Sequence, residues 1–263
     1  MSISACAQHD VKRKQQTASS PARQQKLREV VWRRRADDGS ELTFDPIAIT
    51  RDEAGAFIPM RRVAQSTSSR NITVNVWSQL DTCVHELESG LEHDLHRRLD
   101  RPGTSQHVVP QPLRVVLPRS GTHTPDFLQV TDGGVRVWDC KPSSLVDDSV
   151  EQLAAEMGEA TAAVGWSYAL FTGMTIEERI NLMWLNGYRV HTTIRGYSMC
   201  PWVATHRHAV LAVAAQPTTL GALFDLDDGS GEIISTIWHL VATSALVVDL
   251  TVRLTPESTV SVA

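Results

Sequence analysis

The stretch DFLQVTDGGVRVWDCK, residues 126–141, constrains the fold more than any other part of the chain. Two strand-like apolar runs flank Asp132, Gly133 and Gly134, which supply a tight hairpin turn. A two-residue loop at Asp132-Gly133 sets Asp126 directly opposite Asp139, with Lys141 two residues on and facing the same way. A loop at Gly133-Gly134 instead sets Asp126 opposite Lys141, with Asp139 diagonal; either register gathers the same three groups. Carboxylates facing each other across a strand pair repel, so the hairpin needs a cation or the Lys141 ammonium beside it. Oxygen donors from two carboxylates, a backbone carbonyl and water suit Mg²⁺ or Mn²⁺, hard ions that keep waters and bridge to phosphate oxygens. Lys141 is then placed to polarise or deprotonate an attacking water; burial lowers its pKa and the carboxylates raise it.

A third acid precedes the hairpin. Val84, Leu87, Leu91, Leu95 and Leu99 recur at helical steps and predict an amphipathic helix from Asp81 to just before Pro102-Gly103. Glu88 and Glu92 lie beside its apolar stripe, and Glu92 is the better candidate, because an ionised glutamate at a buried edge needs a cation near it. The alternative is that both glutamates flank the helix and pair with Arg97, Arg98 or His96.

Around these elements, Glu29–Arg34 reads as a strand, Asp38-Gly39 as a turn, and Leu113–Leu117 and Asp126–Val130 as strands. Val135–Lys141 is a strand stopped by Pro142, and a helix follows over Asp148–Val164, capped by Asp147 or Asp148. A buried strand Trp166–Phe171 and a helix Thr175–Leu185 carrying Ile176, Ile180, Met183 and Trp184 complete a mixed α/β core. Beyond Pro201-Trp202, helices are expected at His206–Ala215, Leu220–Leu226 and Glu232–Ala242, then strands at Leu246–Leu254 and Thr259–Val262. Three helices followed by a hairpin suggest a winged helix-turn-helix. The expected division is a basic, partly flexible extension over 1–65, the α/β core over 66–200, and the winged-helix-like part over 201–263.

Charge is unevenly placed. Residues 1–35 hold nine Lys or Arg against Asp10 and Glu29, a net +7 in a chain of net −5, leaving −12 elsewhere. That arm suits phosphate contact or a solvated tail. Residues 205–263 hold two Arg against six acids, a poor footprint for groove binding and a better one for a protein partner, with Trp202 or Trp238 as an anchor or as small-core residues. Cys6, Cys83, Cys140 and Cys200 form no CxxC pair, no apolar run approaches membrane-span length, and the N-terminus has no signal-peptide core, so a cytoplasmic, nucleoid-associated protein is expected. His93, His96, His206 and His208 read as surface residues, while His123 lies close enough to Asp126 in sequence to meet DNA or water.

Pro125-Asp126 followed by Asp139-Cys140-Lys141 matches the PD-(D/E)xK motif of restriction-endonuclease-like nucleases. With SGLEHDLHRRLD, VVPQPLRVVLP, THTPDFLQV, VRVWDCKP, WSYALFT and NLMWLNGYR, residues 80–190 resemble the nuclease domain of TnsA-type endonuclease subunits of heteromeric transposases. The resemblance implies a restriction-endonuclease-like core, with Glu92 as the helical glutamate, Asp126 as the metal-bridging aspartate, Asp139 at a variable acidic or Gln position, Lys141 as the lysine and the Cys140 backbone carbonyl as a further ligand. Gln111 falls where the family has a Gln-Pro or Gln-Phe, outside the ligand set. The implied activity is Mg²⁺-dependent hydrolysis, with Mn²⁺ able to substitute, of the non-transferred DNA strand at transposon ends, beside a TnsB-like DDE transposase and a TnsC-like AAA+ ATPase. A non-catalytic adaptor of such a complex and a solitary restriction or repair nuclease are the alternatives.

Overall fold

The computed structural model describes residues 30–60, 73–189, 193–194, 197–198 and 202–263; most of the expected basic arm, with Cys6 and Cys200, lies outside them. Strand β1 (Val31–Arg35) turns into β2 (Glu41–Thr43), with Asp38 accepting from the Ser40 amide at 2.9 Å and Gly39 at φ +86° supplying the left-handed turn residue. A short helix α1 (Arg51–Gly55) follows, closed at its start by a reciprocal Thr50–Glu53 capping box.

Strands β3 (Val74–Ser78) and β4 (Cys83–Leu87) form an antiparallel hairpin, and helix α2 (Gly90–Leu99) begins only after Ser89. The helix expected from Asp81 is therefore half strand. Cys83–Leu87 alternates, with His85 and Leu87 inward and Val84 and Glu86 outward, which suits a hairpin with one wet face. Ser89 then caps α2 by accepting the Glu92 amide at 3.1 Å. Leu87 and Leu95 share a core from two different elements, and their helical spacing in sequence is coincidental.

The central part runs β5 (His107–Pro110), β6 (Arg114–Leu117), β7 (Gly121–His123), β8 (Phe127–Thr131), β9 (Gly134–Cys140), helix α3 (Asp148–Ala163), β10 (Ser167–Phe171) and helix α4 (Ile176–Asn186). Asp147 caps α3, accepting from the Ser149 and Val150 amides, as its place before the helix leads one to expect. Two four-stranded sheets result, ordered β2-β1-β6-β7 and β10-β9-β8-β5. In the second, β10 runs parallel to β9 and the other pairs are antiparallel, because the β9–β10 connection passes through α3. Leu128, Val130, Val135 and Val137 pack one face of that sheet against Met157 and Ala160 of α3 and against Trp32 and Val115 of the first sheet. Phe127, Val108 and Phe171 pack the other face against Leu95 and Leu99 of α2. Each fully buried Leu or Phe contributes roughly 1.5–3 kcal/mol, so this double-sided packing fixes the ends of β8 and β9 firmly.

Helix α4 reverses its expected orientation: Ile176, Ile180, Met183 and Trp184 are 52–60% exposed, while Glu178, Asn181, Leu182 and Leu185 are buried. Polar anchors decide the face. Glu178 receives both arms of Arg98 at 2.8 and 2.7 Å, and Asn181 donates to the carbonyls of Leu250 and Val252.

A two-rung pair, β11 (Thr193–Ile194) with β12 (Tyr197–Ser198), precedes the C-terminal part: α5 (Trp202–Ala214), β13 (Thr218–Thr219), α6 (Leu220–Phe224), α7 (Glu232–Ala242), β14 (Leu246–Val247) and β15 (Thr259–Val262). Its strands are ordered β13-β15-β14, and its core of Val210, Leu220, Leu223, Ile237, Leu240 and Val260 also takes in Leu185 of α4. The strand expected over Leu246–Leu254 stops at Val247, where Asp249 draws in the amide and hydroxyl of Thr251 and bends the chain. Trp238 is half-buried in a ring cluster with Trp184, Tyr188 and Phe224. Among the described residues no helix is long and apolar enough to cross a membrane.

Candidate active site

The hairpin adopts the first of the two registers. Phe127 pairs with Trp138 and Thr131 with Gly134, so the loop is Asp132-Gly133 and Asp126 lies one residue before the ladder, beside Asp139. The regular ladder ends there: the Asp126 amide donates to the Trp138 carbonyl at 3.0 Å, so Asp126 and Phe127 both lie against Trp138. The two acids are close: the Asp126 amide also lies 3.3 Å from Asp139 Oδ1, and Asp126 Oδ2 accepts from the Cys140 amide at 2.6 Å.

Asp139 is 7% exposed and well supplied. His123 Nε2 sits 3.0 and 2.9 Å from its two oxygens, and Tyr168 donates its hydroxyl to Oδ2 at 2.9 Å. β7 delivers His123 from the neighbouring sheet, and β10 delivers Tyr168 through its parallel pairing with β9. Sequence reasoning placed His123 only loosely and missed Tyr168 altogether. The one available signal was an aromatic on the strand after α3, and its register against β9 is a tertiary fact.

Asp126 has the opposite environment. Burial first, then the charge of Asp139, then that of Glu92 push its carboxyl well above the usual carboxylate range, against which the Cys140 amide is the opposing donor. Burial and the same acids push the Cys140 thiol and, together with its hydrogen bond to Asp139, the Tyr168 hydroxyl upward. A crowd of this kind holds more negative charge than its surroundings neutralise.

Glu92 is 6% exposed and turned inward, near enough to act on Asp126 from α2. It also serves its own helix, because its oxygens accept from the Glu88 amide at 2.9 Å and the Ser89 hydroxyl at 2.8 Å, at the third position of an S-x-x-E start that the sequence already displays. Arg97 and Arg98 pair instead with Asp94 and Glu178. His96, read from sequence as a surface residue, is buried 3.1 Å from His85 Nδ1. Lys141 extends the strand, its amide donating to the Phe171 carbonyl, and its ammonium acts on Asp147 at the start of α3. Asp126 and Asp139 thus lie side by side, Glu92 acts on Asp126 from α2, and Lys141 follows on the strand beside the α3 cap.

Gln111 is 2% exposed, and neither atom of its side-chain amide has a hydrogen-bond partner among the described residues. Its backbone is at φ +44°; its backbone amide donates to the Asp126 carbonyl at 2.8 Å, while its carbonyl accepts from Met60. An unpaired buried polar group costs about 1–3 kcal/mol, and a left-handed backbone in a residue other than glycine about 1–2 kcal/mol more. The fold therefore carries a local cost one hydrogen bond away from the acids.

Among the described residues no three His, Cys, Asp or Glu side chains form a ready-made cage for a metal ion. The donor chemistry nonetheless fits a hard divalent cation: the groups are carboxylate oxygens in excess of local positive charge, and Mg²⁺ completes its shell with water where two carboxylates suffice. No protein-family model and no curated protein matches the chain.

Proposed function

We propose that this chain is a metal-dependent DNA endonuclease of the TnsA type, acting on the non-transferred strand at transposon ends beside a TnsB-like DDE transposase and a TnsC-like AAA+ ATPase. The observation that carries the reading is the meeting of Asp126 with Asp139 across one hairpin, with Glu92 close enough from α2 to raise the Asp126 carboxyl. The succession α2, β5, β8, β9, α3, β10, with a mixed sheet between two helices, supports a restriction-endonuclease-like core, and the three helices and strands of the C-terminal part support a winged-helix module.

In this reading Asp126, Asp139 and the Cys140 carbonyl would hold the ion, with Glu92 adding negative charge beside them. A bound Mg²⁺ or Mn²⁺ supplies Lewis-acid stabilisation of the developing phosphate charge and a nucleophilic water at neutral pH. His123 and Tyr168 fix the Asp139 carboxylate in one orientation, as outer-shell donors do. Lys141, at the edge of the acids, offers a mobile ammonium to a non-bridging phosphate oxygen.

The adaptor alternative draws on one specific observation: both Glu92 oxygens already have local donors, so its inward position has a structural explanation as well. Nicking of supercoiled plasmid by the purified full chain in Mn²⁺, with and without the partner subunits, separates the two. Cleavage lost in a folded Asp126→Asn protein supports the nuclease, and partner-complex formation without cleavage under any condition supports the adaptor.

A further inference from the structure

Helix α4 leaves bare the stripe that its sequence marks for burial: Ile176, Ile180, Met183 and Trp184 are all more than half exposed. Together they offer roughly 400–500 Å² of apolar surface, the size of patch that marks an interaction site on a folded protein. The other side of α4 is fixed, because Glu178 holds Arg98, Arg179 reaches Asp94 on α2 at 3.1 Å, and Asn181 donates to the Leu250 and Val252 carbonyls. No rotation of the helix hides the stripe without breaking those bonds. Trp184 is braced edge-on against Trp238, ring centres 6.2 Å apart, and beside Tyr188 at 5.6 Å, so the largest exposed ring is held in place before any partner arrives. Ile176, Ile180, Met183 and Gly187 follow one another at steps of four, three and four, the spacing of a helix–helix seam, and neither they nor Trp184 carry charge. Gly187, which ends α4, is exposed, and among the described residues a side chain there would meet only the Trp184 carbonyl, at 3.5 Å. It leaves a hollow at one end of the seam, while Ile176 is a knob at the other.

We infer that this face pairs with a second copy of the chain, two α4 helices packing antiparallel about a twofold axis. With the axis midway between Asn181 and Leu182, Ile180 meets the second copy's Met183, and Ile176 enters the hollow at the second copy's Gly187. Each contact occurs twice, so a stripe with a knob at one end and a hollow at the other is its own complement, as a closed twofold interface requires. Trp184 covers one flank of the seam. On the other flank Arg179 is already paired with Asp94, which tempers its repulsion across the axis. A charged segment of another protein is a poorer match, since it finds no counter-charge in the stripe. The contact closes about 1,000 Å² in all, at the low edge of specific interfaces, so a dissociation constant on the order of 10 µM is expected. Two copies pair this way whether or not either cuts DNA.

Sedimentation velocity of the full chain between about 1 and 100 µM is the test, and the wild type should pass from monomer to dimer across that range. Ile180→Glu and Met183→Lys each set a charge against an apolar side chain across the axis and should weaken dimerisation by about tenfold or more. Their melting temperatures, measured at about 1 µM, should stay within about 2 °C of wild type, because both positions are exposed in a single copy. Mixed one to one, the two variants should dimerise again, since the new carboxylate of one then faces the new ammonium of the other. A wild type that stays monomeric at about 100 µM overturns the inference, as do single variants that dimerise like wild type or a mixture that stays monomeric. A variant that melts several degrees lower overturns it too, since the stripe is then covered by its own chain.

Discussion

Two buried aspartates, Asp100 and Asp126, show how differently one fold treats the same side chain. Asp100 is 0% exposed and fully provided for: it accepts from the Ser78 hydroxyl at 2.8 Å and the Gln79 and Leu80 amides at 3.2 Å, and it pairs with the buried Arg189 at 2.6 Å. Asp126 has the Cys140 amide at 2.6 Å, while Asp139, Glu92 and Glu88 all oppose its ionisation. An aspartate that ties β3, α2 and the end of α4 together is matched by donors, whereas one left short of positive charge is waiting for something from outside. The contrast between a solved and an unsolved electrostatic problem locates the site better than the acid count does.

The largest expected effect tests the provided end. Arg189→Met or Asp100→Ala leaves a buried charge or its donors unpaired and lowers unfolding stability by about 3–5 kcal/mol, read by denaturant titration. Asp126→Asn should do the reverse, leaving the melting temperature unchanged or higher while Mn²⁺-dependent nicking falls on the order of a thousandfold, the several kcal/mol that a metal-held phosphate is worth. Equal destabilisation by both substitutions would erase the comparison. Tyr168→Phe removes one Asp139 donor, and nicking or Mn²⁺ affinity should drop about ten- to a hundredfold with a stability change near 1 kcal/mol.

The provided region also has a pH signature. Burial lowers the pKa of both His85 and His96, His96 furthest, although Asp81 and Asp100 push His85 back up. A depressed folded-state pKa means the unfolded chain takes up protons first, so this stability is fully present above about pH 6.5 and is lost as pH falls below it, by at most roughly 1.4 kcal/mol per unit for each histidine. His96→Leu should flatten the acid limb of a stability-versus-pH curve. The smallest effect separates the two roles of Glu92. Glu92→Gln keeps acceptor capacity for the α2 start and should change stability by less than about 1 kcal/mol. If nicking also survives, Glu92 is a cap and no more.

Much of the core was legible because β8 and β9 are local. Alternation and an Asp-Gly turn were enough to bring Asp126 and Asp139 side by side, but the choice between two loops, and the shift of the Asp126 amide onto Trp138, needed coordinates. The start of α2 misled because the strand Cys83–Leu87 places Leu87 at a helical step from Leu91, while the cap the structure uses is Ser89. Helix α4 misled for a different reason: its apolar stripe is genuine, but Arg98 and the carbonyls of Leu250 and Val252 claim the other face. His123, Tyr168 and Gln111 were under-read because their meaning depends on partners brought by a second sheet, a parallel crossover and a left-handed backbone.

The solvent-exposed tip at Asp132-Gly133 lies about 20 Å along the strand from Asp126 and touches none of the acids, yet it counts the residues between them. One amino acid added there would slip the register of β8 against β9 and carry Asp126 away from Asp139. Chemistry at one end of the ribbon is thus hostage to chain length at the other, and substitutions at that tip are tolerable where indels are not.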